Sequence, residues 1–342
     1  MKKTLIYFFL IVLLVSIFDI FSILKKPIDI DIDNSVALFK NAKPIEVSVL
    51  NFGDLMFDRG VRNIIENRKR DPFEYIKKDL DVLNKYDVVV ANLEGPVVVM
   101  DRNLCQQKAY NFQFATDTTD RLKSIGIKMV NIANNHSYDC YSKGFESTKK
   151  YLIEAGIDYT GDTDVNKSFV IKEINSKKVA FVGIDRTVSD TSIEKYYELV
   201  KKLKPENDFV VVDIHWGTEY SLLETQSQIS VAHGLIDSGV DVIFGHHPHV
   251  VEPVRLYKNK AIFYSLGNFV FDQTGKEENT GIGAGVVWKD DLTKYTIHPF
   301  NIKLFAPALM KGEEMQKYCD KFLKDIEHSG CSFDIAHIDK NQ

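Results

Sequence analysis

The chain has 342 residues, 44% of them hydrophobic and 27% charged, with a formal net charge of −5. Those values are ordinary for a globular protein of one large domain or two smaller ones. Setting aside residues 1–26, which hold four Lys and one Asp, leaves 39 basic against 47 acidic side chains, a net of −8, and that balance argues against nucleic acid as a partner.

Residues 4–24 are apolar for 21 positions, about 30 Å as a helix and enough to cross a bilayer. Lys2 and Lys3 precede the run, and neither an Ala-x-Ala cleavage pattern nor a lipoprotein cysteine follows it, so an uncleaved signal anchor is favoured over a cleaved signal peptide. Asp19 within the run and Lys25 and Lys26 beyond it weaken the orientation signal. The expected layout is a cytoplasmic tip and transmembrane signal anchor over 1–26, a linker over 27–44, the main domain over 45–304, and a C-terminal capping helix and tail over 305–342. With the N-terminus inside, the domain lies outside the cell membrane. Of the three ways to pair Cys105, Cys140, Cys319 and Cys331, the favoured one joins Cys105 to Cys140 and Cys319 to Cys331, with four reduced thiols as the alternative.

From Ile45 the pattern is strand, loop, helix, repeated. The first strand, Glu46 to Phe52, ends at Gly53-Asp54. After Pro72, Phe73, Ile76, Leu80 and Leu83 recur at helical spacing. The second strand, Asp87 to Ala91, runs into Asn92-Leu93-Glu94-Gly95, and the loop over 96–115 carries Arg102, Lys108, Tyr110 and Phe112, a groove lining or a solvated loop. A third strand, Lys128 to Ala133, leads to Asn134-Asn135-His136 with Asp139 close behind. Phe145, Thr148, Leu152 and Ala155 mark a helix closed by Gly156.

Further strands over Lys178 to Ile184 and Phe209 to Ile214 flank a helical stretch at about 192–204, and the second delivers His215-Trp216-Gly217. The helix at about 224–238 puts His233 on one face with Ile229 and Ile236, the setting of a core or supporting histidine rather than a ligand. The run Val240 to Phe244 ends in Gly245-His246-His247-Pro248-His249, which packs three of the nine histidines into four residues. Closely packed imidazoles repel when charged, which favours the neutral, metal-binding form. Ala261 to Leu266 meets Gly267-Asn268-Phe269. Gly281, Gly283 and Gly285 punctuate a later strand and read as close backbone packing, not a phosphate loop. Met315, Cys319, Phe322 and Ile326 mark a terminal amphipathic helix.

Strands alternating with helices predict an α/β fold, in which strand ends converge on one edge and distant residues share a pocket. Asp54, Glu94, Asn135, His136, His215, His247 and His249 all follow apolar strand runs by one to four residues. Carboxylates with imidazoles suit one or two divalent ions such as Mn, Zn or Fe at a hydrolytic centre, and imply hydrolysis or transfer at phosphorus or at a carbonyl. No Gly-x-Ser-x-Gly elbow or Walker loop is present.

Gly53-Asp54 with Arg59, Asn92-Leu93-Glu94-Gly95, Asn134-Asn135-His136, His215-Trp216-Gly217, His247-Pro248-His249-Val250 and Ser265-Leu266-Gly267-Asn268-Phe269 together resemble the CapA polyglutamate-capsule biosynthesis family, in order over residues 46–272. The resemblance implies a calcineurin-like metallophosphoesterase fold, a four-layer α/β/β/α sandwich with a dinuclear metal site, held at the cell surface by an N-terminal transmembrane helix. It places Glu94 as the metal-bridging carboxylate, Asn135, His215 and His247 on one metal, and Asp54 and His249 on the other. His136 then contacts substrate and protonates the leaving group, Arg59 acts in catalysis and binds an anionic group, and Asn268 lies at the substrate. Three positions depart from the pattern. Asp54-Leu55-Met56 replaces the phosphoesterase Asp-x-His, Glu94 replaces an aspartate, and Glu252 stands where the family often has Gln.

Three functions follow as expectations. The first is a metal-dependent hydrolase or transferase acting on an anionic polymer such as poly-γ-glutamate. The second is a non-catalytic accessory subunit that works with membrane synthase or export subunits. The third, a surface metallophosphodiesterase, rests on fold analogy.

Overall fold

The structure is a computed structural model and describes residues 46–188 and 192–337. The expected membrane anchor and linker lie outside the described residues. Among the described residues no helix is long and apolar enough to cross a membrane.

The first half of the domain contains β1 (Val47–Leu55), α1 (Arg59–Glu66), α2 (Leu80–Leu83), β2 (Val88–Leu93), α3 (Thr118–Lys123), β3 (Met129–Asn131), α4 (Tyr141–Ala155) and β4 (Asp158–Thr160). The second half has β5 (Phe169–Ile174), β6 (Lys177–Asp185), α5 (Ile193–Leu203), β7 (Phe209–His215), α6 (Gln226–Ser238), β8 (Val242–His246), β9 (Val254–Tyr257) and β10 (Lys260–Phe263). The chain then returns to the first sheet with β11 (Asn268–Val270), β12 (Thr280–Trp288), β13 (Leu292–Lys303), β14 (Ala306–Leu309), α7 (Gly312–Phe322) and β15 (Ser332–Ala336).

Two sheets result. The larger runs β14-β13-β12-β1-β2-β3-β4, with β11 beside β1 and β15 beside β13, and the smaller runs β5-β6-β7-β8-β10-β9. Within them β1 to β4 are mutually parallel, as are β6, β7, β8 and β10. Parallel strands buried on both faces need apolar side chains on both, and every residue of β1 and of β2 is buried.

Alternation sorts those side chains into layers. Val179 and Phe181 of β6 pack between the sheets with Val49, Val90, Met129, Val211 and Phe244, while Ala180 and Val182 pack outward against Leu199 and Val200 of α5 and Val231 and Leu235 of α6. On the opposite outer face Leu50 and Phe52 of β1 meet Val61, Leu122, Phe145 and Leu152 of α1, α3 and α4. The order is therefore α/β/β/α, the four layers expected from the resemblance.

Some local expectations are revised. The apolar face of Phe73, Ile76 and Leu83 is buried as expected, but the segment is a 3-10 turn over Ile76–Asp79 and a single α turn rather than a continuous helix. Beyond residue 305 the chain builds β14 and β15 onto β13 in addition to the amphipathic helix α7. Cys319 of α7 is joined to Cys331, and both belong to the apolar cluster between the sheets. The second disulfide joins Cys105 to Cys140, so the favoured pairing is the one observed. Gly283 packs where a Cβ would lie 2.6 Å from the Phe52 ring, the close approach read from the sequence.

Phe52 is fully buried and stacks on Phe269 at 4.0 Å between ring centroids. Phe52→Ala should therefore lower unfolding stability by about 3–5 kcal/mol in urea titration.

Candidate metal centre

The site grows out of the middle layer. Inward-facing positions of β1, β2, β3, β7 and β8 begin apolar (Val49, Val90, Met129, Val211, Phe244) and turn polar toward the strands' C-terminal ends (Asn51, Asn92, Asn131, Asp213 and His215, His246). Strand pairing sets Asn92 level with Asn131 in one sheet and His215 level with His246 in the other. A break in register at Gly53 sets Asp54, rather than its predecessor, opposite Asn92. Glycine is required at the break, because a Cβ on Gly53 would lie 1.8 Å from the Gly267 carbonyl oxygen.

At that edge the two sheets exchange polar contacts. Asn92 Nδ2 donates to Asp54 Oδ1 at 2.8 Å and lies 3.3 Å from His215 Nδ1, while His215 Nε2 lies 2.9 Å from Asn135 Oδ1. Asp54 Oδ2 is 3.1 Å from His249 Nδ1 and accepts from the His247 backbone N–H at 3.3 Å. Glu94 Oε1 is 3.7 Å from His249 Nε2 and 4.0 Å from His136 Nε2. His136 Nδ1 lies 2.8 Å from Asp139 Oδ2, and its ring stacks on Phe112 at 4.1 Å. The His247 ring is 4.8 Å from His215 and 6.1 Å from His249. His247 and His249 hold positive φ angles of 96° and 59°, backbone that non-glycine residues adopt at a cost where the surroundings enforce it.

The seven expected metal and proton-donor residues are thus brought together, while the other two have different surroundings. Arg59 is ion-paired with Asp272 and lies 5.0 Å over Phe112 and 5.6 Å over Phe271, the rings against His136 and His249. Asn268 is fully buried. Its amide donates to Gln273 Oε1 at 2.7 Å and the Glu278 carbonyl at 3.1 Å, and its oxygen lies 3.0 Å from His249 Nδ1. The loop read as a possible groove contributes Gln106 and Lys108 to a cleft of about 860 Å³ that Asn135 also lines. His233, read as a supporting residue, stacks on Tyr257 at 3.7 Å.

Two residues beneath the site, Asn51 and Asp213, were not picked out from the sequence. Asn51 donates to Asp213 across the sheets, Asp213 Oδ1 is 3.2 Å from His246 Nε2, and His246 Nδ1 is 3.8 Å from Asp54 Oδ1. Their signal was present as single polar residues on the inward phase of apolar strands, which must find partners across the layer.

The electrostatics are compatible with a bound cation. Burial, together with the charge of Asp54, raises the Glu94 pKa well above the carboxylate range. Burial, then His247 and His246, pushes His215 well below the usual imidazole value, and burial with His249 lowers His247 to about 4. Burial also works against charge on His249, but Glu94 and Asp54 outweigh it and lift it to about 9. Asp54, Glu94 and His215 offer ligand atoms within 4.8 Å of one another, a buried group that can hold a metal ion. Neither Glu94 oxygen has a hydrogen-bond partner among the described residues. Two carboxylates with a neutral imidazole form a donor set suited to Mn, Zn or Fe.

Fold and site together define a two-sheet α/β/β/α protein with a candidate divalent-metal centre at its parallel strand ends. Residues 48–273 match the family described as bacterial capsule synthesis protein PGA_cap, and the chain belongs to that family. It is 28% identical over 315 residues to the PGA biosynthesis protein CapA of Bacillus subtilis, covering 84% of this chain and 82% of that one. With the capsule biosynthesis protein CapA of Bacillus anthracis it shares 33% identity over 263 residues, 70% of this chain and 63% of that one. A Mycobacterium tuberculosis protein named probable polyglutamine synthesis accessory protein is 24% identical over 291 residues, 68% of this chain and 76% of its own. Among solved structures, a hypothetical protein from Thermus thermophilus aligns over 77% of this chain and 96% of its own, at 18% identity and a TM-score of 0.46.

Glu252 backs the turn that follows His215. Its Oε2 accepts from Gln228 Nε2 at 2.8 Å, and that amide in turn packs where a Cβ on Gly217 would lie 2.8 Å away. Burial lifts the Glu252 carboxyl from 4.5 to about 8, while the Gln228 bond opposes the rise. The folded state therefore binds this proton more tightly than the unfolded chain does. The resulting stabilisation is complete below about pH 4.5 and is lost as pH rises through about 8. Glu252→Gln should leave stability at pH 5 nearly unchanged and raise it by about 2–4 kcal/mol at pH 9, read by urea unfolding at both pH values.

Proposed function

We propose that this protein acts at the outer face of the cell membrane in making or exporting an anionic polymer of the poly-γ-glutamate type, as a metal-dependent hydrolase or transferase. The observation that carries the reading is Glu94, a fully buried carboxylate with neither oxygen hydrogen-bonded among the described residues, beside Asp54 and His215. Leaving such a group without a partner costs several kcal/mol, and a divalent cation removes that cost. Asp54, Glu94, Asn135, His215, His247 and His249 would hold one or two ions of Mn, Zn or Fe. When bound, such an ion polarises the scissile carbonyl or phosphoryl oxygen and acidifies water.

The chain's own groups supply the remainder. Asp139 fixes the His136 ring through Nδ1, so that Nε2 faces the Glu94 side of the pocket, where it can give a proton to a leaving group. Arg59 lies behind, over Phe112 and Phe271, as the nearby cation for an anionic substrate. The cleft of about 860 Å³ beside Asn135 has room for several units of an extended polymer, and Lys108 lines it. One CapA relative is named for PGA biosynthesis and the other for capsule biosynthesis. Residues 4–24 would supply the anchor, and two disulfides suit an oxidising compartment outside the cytoplasm.

A second reading, an accessory subunit of a synthase or export complex that does no chemistry, is favoured by Met56. In place of a first-motif histidine its buried thioether lies 3.0 Å from the Asp58 backbone N–H, which donates to it. Elemental analysis of the purified protein and turnover of poly-γ-glutamate and simple phosphoesters separate the readings. The enzyme reading expects near-stoichiometric metal in the wild type. In Glu94→Gln, His215→Ala and His247→Ala it expects reduced metal and at least about 100-fold lower turnover of the polymer. Metal without turnover supports the accessory subunit, and turnover of phosphoesters alone supports a surface metallophosphodiesterase.

A further inference from the structure

We propose that residues 101–114 form a strap, locked by the Cys105–Cys140 disulfide, that positions Asp139 and through it His136, so that the site is completed only after those two thiols have been oxidised. This inference rests on the proton-donor role given to His136 above.

Gln106, Lys108 and Phe112 of the strap make polar contacts with one short segment, while Gln113 and Phe114 bond to Asp58, Arg62, Pro96 and Val98. The Gln106 backbone N–H donates to the Asp139 carbonyl at 2.8 Å, and the Gln106 side-chain amide donates to the Tyr138 carbonyl at 2.7 Å. Lys108 Nζ is 2.6 Å from Asp139 Oδ1, and the Phe112 backbone N–H donates to Asp139 Oδ2 at 2.7 Å. The oxygen held by Phe112 is also the one that faces His136 Nδ1, whose ring lies against the Phe112 side chain. Both sulfurs adjoin this set of bonds, Cys105 next to Gln106 and Cys140 next to Asp139. The disulfide thus closes the hydrogen-bonded pair from both sides. Among the described residues the strap makes no hydrogen bond to the side chains of Asp54, Glu94 or His215, which strands and their ends set in place. Asp54, Glu94 and His215 are therefore positioned by other parts of the chain than the strap.

A buried carboxylate held by three partners keeps one geometry only while the groups that supply two of them stay in place. Without the covalent link, the 35-residue separation between the cysteines leaves the part of the strap ahead of Phe112 many more arrangements, and its contacts with Tyr138 and Asp139 must offset that entropy. In a reducing compartment the pair is two thiols. On export, exchange with the disulfide of an oxidised dithiol carrier removes two protons and two electrons from them, forms the S–S bond and leaves the carrier as its dithiol. The device would keep the site incomplete until the protein has left the cytoplasm.

The test uses the full chain with ¹⁵N-labelled histidine. It compares wild type, the double variant Cys105→Ser with Cys140→Ser, and the double variant Cys319→Ser with Cys331→Ser as a disulfide control remote from His136. The His136 ring signals are assigned with His136→Gln, and bound metal and turnover are measured on each sample. The expected result for the Cys105/Cys140 variant is metal content within about twofold of wild type, loss of the hydrogen-bonded His136 Nδ1–H signal, and turnover down by about 10- to 100-fold. The Cys319/Cys331 control should keep the wild-type ring spectrum. If the Cys105/Cys140 variant loses its metal, Lys108→Met, which leaves both sulfurs in place, must still change the His136 signals. Unchanged His136 signals in either of these strap variants overturn the proposal. A wild type that holds metal, shows the ordered His136 ring and turns nothing over would instead sink the hydrolase reading and leave the strap intact.

Discussion

Two sheets packed face to face leave an inner layer that water does not reach, and every side chain turned into it must be apolar or be satisfied by another. This chain does both along the same strands. Near their N-terminal ends the inward residues are Val, Met and Phe, and toward the C-terminal ends they become Asn, Asp and His. The polar part is continuous, since Asn51, Asp213, His246, Asp54, Asn92, His215 and Asn135 each approach the next within a hydrogen bond or a close ion contact. An unmade hydrogen bond in such a layer is worth about 1–3 kcal/mol, so each member fixes the rotamer of its neighbour and the pocket is rigid before any ligand arrives.

That chain of partners stops short of Glu94, whose two oxygens have no hydrogen-bond partner among the described residues. The pocket's imidazoles respond unequally to burial. His215 and His247 are driven neutral, while His249, between Asp54 and Glu94, is held charged. One buried imidazolium stands against two buried carboxylates, and burial with the charge of Asp54 pushes Glu94 toward its protonated form. A divalent ion would reverse that preference, because its own charge then dominates the local field.

What the sequence made legible follows from the same physics. Asp54, Glu94, Asn135, His136, His215, His247 and His249 could be picked out because each follows an apolar run, and parallel strands end at a common edge. Asn51 and Asp213 sit inside such runs, where a lone polar residue carries no mark of its partner 162 residues away. The role of Asn268 could not be seen either, because its side chain is committed to Gln273, Glu278 and His249, and only the fold sets those neighbours. At the C-terminus, β14 and β15 are short strands that gain their pairing from β13, and their residues show too few alternations to announce a strand alone. The expected helix over Phe73 to Leu83 had the right buried face but not the right local hydrogen bonding, since burial pattern does not distinguish a 3-10 turn from an α turn over so short a span.

The direction of β1 has a practical consequence. Eight residue steps of extended chain separate Glu46 from Asp54, about 26 Å at strand spacing. An affinity handle, fluorophore or solid support joined ahead of Glu46 therefore meets the domain at the end of β1 opposite its carboxylates. Immobilising the protein by that end should leave the pocket mouth free, which suits it to surface-based measurement of long polymers.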